Sequence, residues 1–192
     1  MNMLSNALDD LSDDAVLRLY VNGDNQAARE LTLRLAPGVL SLAKRLLNDL
    51  TEAEDVTQEA MMRLWKMAPD WRSGEAKPST WLYRVTSNLC MDRLRRRRSV
   101  GLDEIAEPKD TTATVVQTMQ QNERAKALTA ALDQLPERQR TAVVMRHIEG
   151  FANPEIAEIL NISVDAVESL TARGKRALAA LLLGQKEELG LE

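Results

Sequence analysis

Residues 153–176, NPEIAEILNISVDAVESLTARGKR, leave the backbone little freedom. Ile156, Ala157 and Leu160 recur at helical spacing, and Val164, Val167 and Leu170 do so again after a break. Two helices this short bury both stripes by folding back on each other, and Ala157 is small enough for a steep crossing. Asn153 is placed to cap the first helix, and Pro154 suits its first position, where the missing N–H has no intrahelical partner. Asn161 falls at the turn, and Asn tolerates a left-handed backbone better than most residues. Ser163 is placed to cap the second helix. The spacing predicts a helix-turn-helix, whose second helix ends in cations and has the shape that enters a DNA major groove.

The remaining sequence is helical in character. Of 192 residues, 44% are hydrophobic and only 3% aromatic, and period-two alternation of β-branched residues is almost absent. Helical periodicity runs through Ser12–Val21, Asn25–Leu47, Thr51–Met67 and Ser79–Arg97, with a break expected at Pro37. Thr51 followed three residues later by Glu54 fits a capping box. The interval Pro69–Pro78, PDWRSGEAKP, excludes regular helix. Ser99–Gln121 is polar, Thr-rich and acidic, which suits a linker. Helix is expected again from Asn122, with a new one starting at Leu135–Pro136 and stopping at Gly150, and with fraying from Gly184. The expected fold is all-α: two small helical domains, residues 1–98 and 122–192, joined by a flexible linker, 99–121.

The net charge of −4 is unusual for a nucleic-acid binder, so any DNA contact must be local. Arg84–Arg98 holds six arginines against one acid, Asp92. Arginines at a helix end complement the macrodipole. Four in succession, Arg95, Arg96, Arg97 and Arg98, spread charge around the helix as a phosphate-tracking element would. Four of the six aromatics, Trp65, Trp71, Trp81 and Tyr83, lie nearby. Trp65 and Trp81 suit core packing. Trp71 sits in the irregular interval, where it either staples the loop to the domain or walls a pocket for an unstacked base. On Thr51–Met67, Val56, Ala60, Met61 and Leu64 form an apolar stripe, while Asp55, Gln58, Glu59 and Met62 lie elsewhere. That second face is either solvated or a docking surface for a protein partner.

A single cysteine, Cys90, and a single histidine, His147, exclude an internal disulfide and a Cys/His zinc site. Cys90 suits a buried thiol, and His147 suits the surface or the edge of the core. The chain carries no phosphate loop, no nucleophile elbow and no catalytic triad pattern, so neither enzymatic activity, a cofactor nor a small-molecule substrate is expected. No run approaches the ~20 apolar residues of a membrane span, and the acidic N-terminus does not resemble a secretory signal, so membrane insertion is not expected and a cytoplasmic location is.

Two motif sets occur in one order: EDVTQEAMMRLW then STWLYRVTSNLCMDRLRRRR, and LDQLPERQRTAVVMRHIEGFANPEIAEILNISVDAVESLTARGKRAL. This pattern, over about residues 10–183, resembles bacterial RNA polymerase sigma factors of the extracytoplasmic-function (ECF) type. The resemblance implies a dissociable polymerase subunit with two helical domains and no chemistry of its own. It implies docking of core RNA polymerase on Asp55, Gln58, Glu59 and Met62. It implies opening of the minus-10 promoter element, with a flipped base received by the loop containing Trp71. Asn88 would face that strand, and Tyr83, Arg84 and Arg95–Arg98 would lie near the melting duplex. It implies reading of minus-35 DNA by Arg146, Ser169, Arg173 and Lys175, and control by an anti-sigma factor in a stress response. Glu168 departs from the resemblance, because relatives often carry a basic residue there. It is left with three roles: accepting from a cytosine amino group, orienting Arg173, or touching nothing. A conventional helix-turn-helix regulator would share residues 153–176 but has no use for the basic helix beside an irregular loop. A helical adaptor would bind no DNA.

Overall fold

The computed structural model describes residue 8, residues 10–72, 74, 76–100 and 116–188. Every regular element among them is helical: α1 (Asp13–Val21), α2 (Asn25–Leu47), α3 (Leu50–Met67), α4 (Pro78–Val100), α5 (Val116–Asp133), α6 (Glu137–Val143), α7 (Asn153–Leu160) and α8 (Val164–Glu188). The chain packs as two compact units, Met1–Cys90 with Glu158–Asn161, and Met91–Ala157 with Ile162–Glu192. Most of the expected linker lies outside the described residues; helix reaches into it on both sides, to Val100 and from Val116. At the other end α8 continues past Gly184 to Glu188.

In the first unit α1, α2 and α3 pack in succession. Val16 and Leu17 of α1, Leu31, Leu35 and Val39 of α2, and Ala60, Met61 and Leu64 of α3 form one buried cluster with Leu82 of α4. Removing such apolar surface from water stabilises by about 25 cal/mol per Å². Ser12 caps α1 and Asp24 caps α2, each accepting from backbone N–H groups in the first turn. The α2–α3 corner is tight: Asn48 closes α2 in the left-handed region (φ 52), and Asp49 then caps α3 by accepting from Glu52 N–H at 3.0 Å. The cap expected at Thr51 is therefore at Asp49, because the αL turn at Asn48 has already aimed the chain into the next helix.

The break expected at Pro37 does not occur; α2 is continuous. Pro37 has no N–H to donate to Leu33, but both residues are exposed, so water can serve the Leu33 carbonyl. Next to it, Gly38 permits a close approach: a Cβ there would collide with the Tyr83 hydroxyl. Arg34 ties the preceding segment to α2, donating to the Leu8 and Leu11 carbonyls and to Glu30. The Glu30 hydrogen bond holds this guanidinium above its ordinary range.

In the second unit α5 and α6 both pack on α8. Leu135 is buried at the α5–α6 corner, and Arg140 is buried beside it with Nη2 2.5 Å from Asp133 Oδ1. The expected helix to Glu149 is α6 followed by a π turn, Val144–Ile148, and Gly150 (φ 80) reverses the chain. On α8, Gly174 is buried where α6 crosses: a Cβ would lie 2.6 Å from Val143 Cγ2 and 3.2 Å from the Gln139 carbonyl oxygen.

Gly174→Ala tests that contact. Helix propensity alone would favour alanine by up to ~1 kcal/mol. Overpacking against α6 costs about 1–3 kcal/mol, so the variant is expected to unfold at lower temperature. Adding Val143→Ala should recover part of the loss; additive losses in thermal unfolding would refute the contact.

Candidate nucleic-acid interface

The helix-turn-helix forms as its spacing predicts, with one change at its start. Ile156 N–H donates to the Ala152 carbonyl, and Glu155 Oε2 accepts from Ala152 N–H at 2.8 Å. Ala152 therefore holds the cap position. The Glu155 side chain reaches back three residues and competes out the Asn153 cap. Asn153 becomes the first helical residue and turns its amide to Glu168, Nδ2 to Oε1 at 3.5 Å. The turn itself is as expected: Asn161 is left-handed (φ 53), and Ser163 Oγ accepts from Ala166 N–H at 3.2 Å. Val167 and Ile156 are buried, but Val164, expected to face inward, is exposed.

On α8 the outward residues fall on two adjoining strips. Glu168, Ala172 and Lys175 share one by their i, i+4, i+7 spacing, and Ser169, Arg173 and Arg176 share the other. All are exposed except Ser169, which is half-buried. Arg146, on the π turn, is exposed and donates Nη1 to the Phe151 carbonyl at 3.0 Å. That bond pins the loop before α7 and leaves other donors of the guanidinium facing outward.

A second surface lies on α4 and the interval before it. A 3₁₀ turn, Ala68–Asp70, follows α3, and the chain is irregular until α4. Trp71 is half-buried there: its Nε1 donates to Asp14 Oδ1 at 2.8 Å, and its ring meets Trp81 edge-on at 6.5 Å. Geometry thus shows the staple, with Asp14 on α1 as the anchor. Trp65 packs beside Tyr20, ring centroids 4.8 Å apart. Tyr83 is half-buried against Gly38 of α2, and Arg84 is half-buried one residue on. Thr86 and Ser87 are buried, but each hydroxyl donates to a carbonyl one turn back, at 2.8 and 2.7 Å, so α4 buries them without orphaned donors. Asn88 is exposed, and Cys90 is buried.

Arg95, Arg96, Arg97 and Arg98 are all exposed. Arg95 lies 3.4 Å from Asp92, and Arg98, within the second unit, lies 2.8 Å from Glu137. The exposed Arg95–Asp92 pair is weak and exchanges readily for other anions, whereas Glu137 is half-buried and Arg98 also donates to the Leu135 carbonyl at 2.9 Å.

The third surface is the outer side of α3. Asp55, Gln58 and Met62 are exposed along one side, Met62 at 63%, and Glu59 is half-buried with Arg63 2.5 Å away. Ala53, Val56, Ala60 and Leu64 are fully buried on the other side. His147 is exposed. Among the described residues, no group of three or more His, Cys, Asp or Glu is placed to hold a metal ion, and no helix is long and apolar enough to cross a membrane.

The two halves of the chain match known families in the order of these surfaces. Residues 31–100 match sigma-70 region 2, and residues 125–178 match sigma-70 region 4. The chain is 33% identical to the ECF RNA polymerase sigma factor SigM of Mycobacterium tuberculosis, over 89% of this chain and 85% of that protein. It is 29% identical to the ECF sigma factor SigW of Bacillus subtilis, over 81% and 89%. Among solved structures it is similar to CnrH in complex with the cytosolic domain of CnrY (TM-score 0.68, 25% identity, 90% of this chain and 97% of that one). The chain belongs to the ECF RNA polymerase sigma factors. It is a transcription initiation factor that directs RNA polymerase to promoters.

Sequence reasoning missed Asp14 and the role of Asn153. Asp14 lies 57 residues from Trp71, and no local pattern links them. Asp14→Leu removes the acceptor and is expected to free Trp71: its emission, taken as the difference from Trp71→Phe, shifts red and becomes more accessible to acrylamide. Asp14→Asn keeps a carbonyl oxygen and should stay near wild type. Equal behaviour of Asp14→Leu and wild type would refute the staple.

Proposed function

We propose that the three surfaces divide the work of initiation. The outer side of α3, with Asp55, Gln58, Glu59 and Met62, docks core RNA polymerase. Its carboxylates suit a basic partner and steer encounter, and the exposed Met62 supplies an adaptable apolar anchor. Asp55 and Met62 are exposed on a helix whose other side is fully buried, and this observation carries the reading.

The region around α4 engages the minus-10 element. Arg95–Arg98 and Arg84 offer cations to the phosphates, Asn88 faces the displaced strand, and the loop fixed by Trp71 receives a flipped base beside Tyr83. Flipping costs a few kcal/mol, which backbone contacts and a formed pocket offset without nucleotide hydrolysis. The second unit reads minus-35 DNA, with Arg146 on phosphate and Glu168, Ser169, Arg173 and Lys175 on the outward strips of α8. The domain boundaries proposed with this division are residues 98 and 122; both fall within helices, and the compact units divide after Cys90. The factor works in the cytoplasm and has no catalysis of its own. That CnrH forms a complex with the cytosolic domain of CnrY supports control of this chain by a protein partner, which we infer to be an anti-sigma factor.

Reconstituted transcription tests the reading: this chain, sigma-free core polymerase and a genomic-fragment template pool, with transcript starts sequenced. Discrete starts sharing two upstream motifs, absent without the chain, are expected. Binding to duplex DNA without polymerase, and no starts, would favour a conventional regulator.

The division of labour is separable. Asp55→Arg with Glu59→Arg is expected to weaken core binding by roughly a hundredfold or more through like-charge contact. Arg173→Ala should keep core binding and lose about tenfold or more in promoter preference. Equal effects of both variants on both assays would refute it.

A further inference from the structure

A carboxylate on a DNA-facing strip needs an explanation. Glu168 is exposed on the second turn of α8, in the part of a recognition helix that reaches base edges. Facing phosphate, it would repel. Its own helix does not neutralise it: residues 164, 165, 171 and 172, three and four positions away, are Val, Asp, Thr and Ala. Lys175 shares its strip but lies two turns on, about 10 Å along the axis. Arg173, five residues away, points to another side.

The α7 helix holds this carboxylate instead. Asn153 Nδ2 donates to Glu168 Oε1, and Asn153 Oδ1 is buried without a hydrogen-bond partner. With the amide oxygen turned inward, the amide nitrogen is the end that meets Glu168. Asn153 is in turn fixed as the first residue of α7, ahead of Pro154, by the Glu155–Ala152 cap. One carboxylate oxygen is therefore tethered, and the other is left to accept from a partner outside the chain. In the major groove the base-edge donors are the amino groups of cytosine (N4) and adenine (N6). Adenine sets an acceptor, N7, beside its amino group, which an acceptor-only carboxylate opposes; cytosine does not.

Resting on the reading that α8 enters the minus-35 major groove, the geometry points to Glu168 as a specificity-determining residue that selects a cytosine in the minus-35 element, with Asn153 as its positioning residue. Lys175 and Arg173 supply the attraction to DNA, and Glu168 makes that attraction conditional on one base.

The test uses holoenzyme formed from the full chain and core polymerase, transcribing a library randomised across the upstream element, with templates sequenced after selection. The wild type is expected to prefer cytosine about tenfold at one position. Glu168→Ala should flatten that position alone. Glu168→Gln, whose amide both donates and accepts, should move it toward adenine. Asn153→Ala should keep cytosine but lower the preference several-fold, with core binding unchanged. If Glu168→Ala raises transcription from all templates with the same motif, the residue only repels phosphate and the inference is overturned. If the wild type selects no upstream motif at all, the assignment of α8 to minus-35 DNA falls first, and the inference with it.

Discussion

The burial of one side of α3 governs what the first unit can present. Ala53, Val56, Ala60 and Leu64 have no solvent exposure, and they pin the helix rotationally against α2. A rotation of a few tens of degrees would bring Met62 toward the core and expose an apolar stripe, at a cost set by the lost burial. The burial of their neighbours on the opposite side is what turns Asp55, Gln58 and Met62 outward. The docking residues proposed on α3 are therefore carried on a backbone that core packing has fixed before a partner arrives. Rigid surfaces lose less conformational entropy on association.

The second unit works on the same logic at closer quarters. Gly174 lets α6 and α8 approach to near contact, and this fixes α8 along its length. Ser163 and Asn161 fix its start. A helix held at its start and in the middle can present two adjoining strips, one carrying Glu168 and Lys175 and the other Arg173 and Arg176. The acidic Glu168 then sits among cations without a local partner on its own helix, in an arrangement that binding to phosphate alone would not favour.

Much of this was legible in the sequence, and the failures have physical causes. The helices follow from apolar periodicity, so α2 and α3 appear within one residue of their expected ends. Pro37 misled because a helix tolerates a proline more readily where the freed carbonyl can meet water, and its exposure is a tertiary fact. Thr51 and Asn153 misled for another reason: several residues near a helix start can cap it, and the incoming chain direction chooses. At Thr51 the turn at Asn48 chose Asp49, and at Asn153 the Glu155 side chain settled the start one residue earlier. The Asp14–Trp71 contact joins a helix to an irregular segment and the Asn153–Glu168 contact joins two helices, so no spacing rule reaches them. Residue types at the candidate surfaces were readable; their partners were not.

Cys90 is the only thiol in the chain and is fully buried on α4. Alkylation requires a thiolate that can meet the reagent, so modification waits for α4 to leave its packing. The molecule thus carries its own clock for that event, read as a single mass increment against a background with no other reactive sulfhydryl. Cysteines introduced elsewhere for spectroscopic labels would react first, and the native fold would keep the record of each label unambiguous.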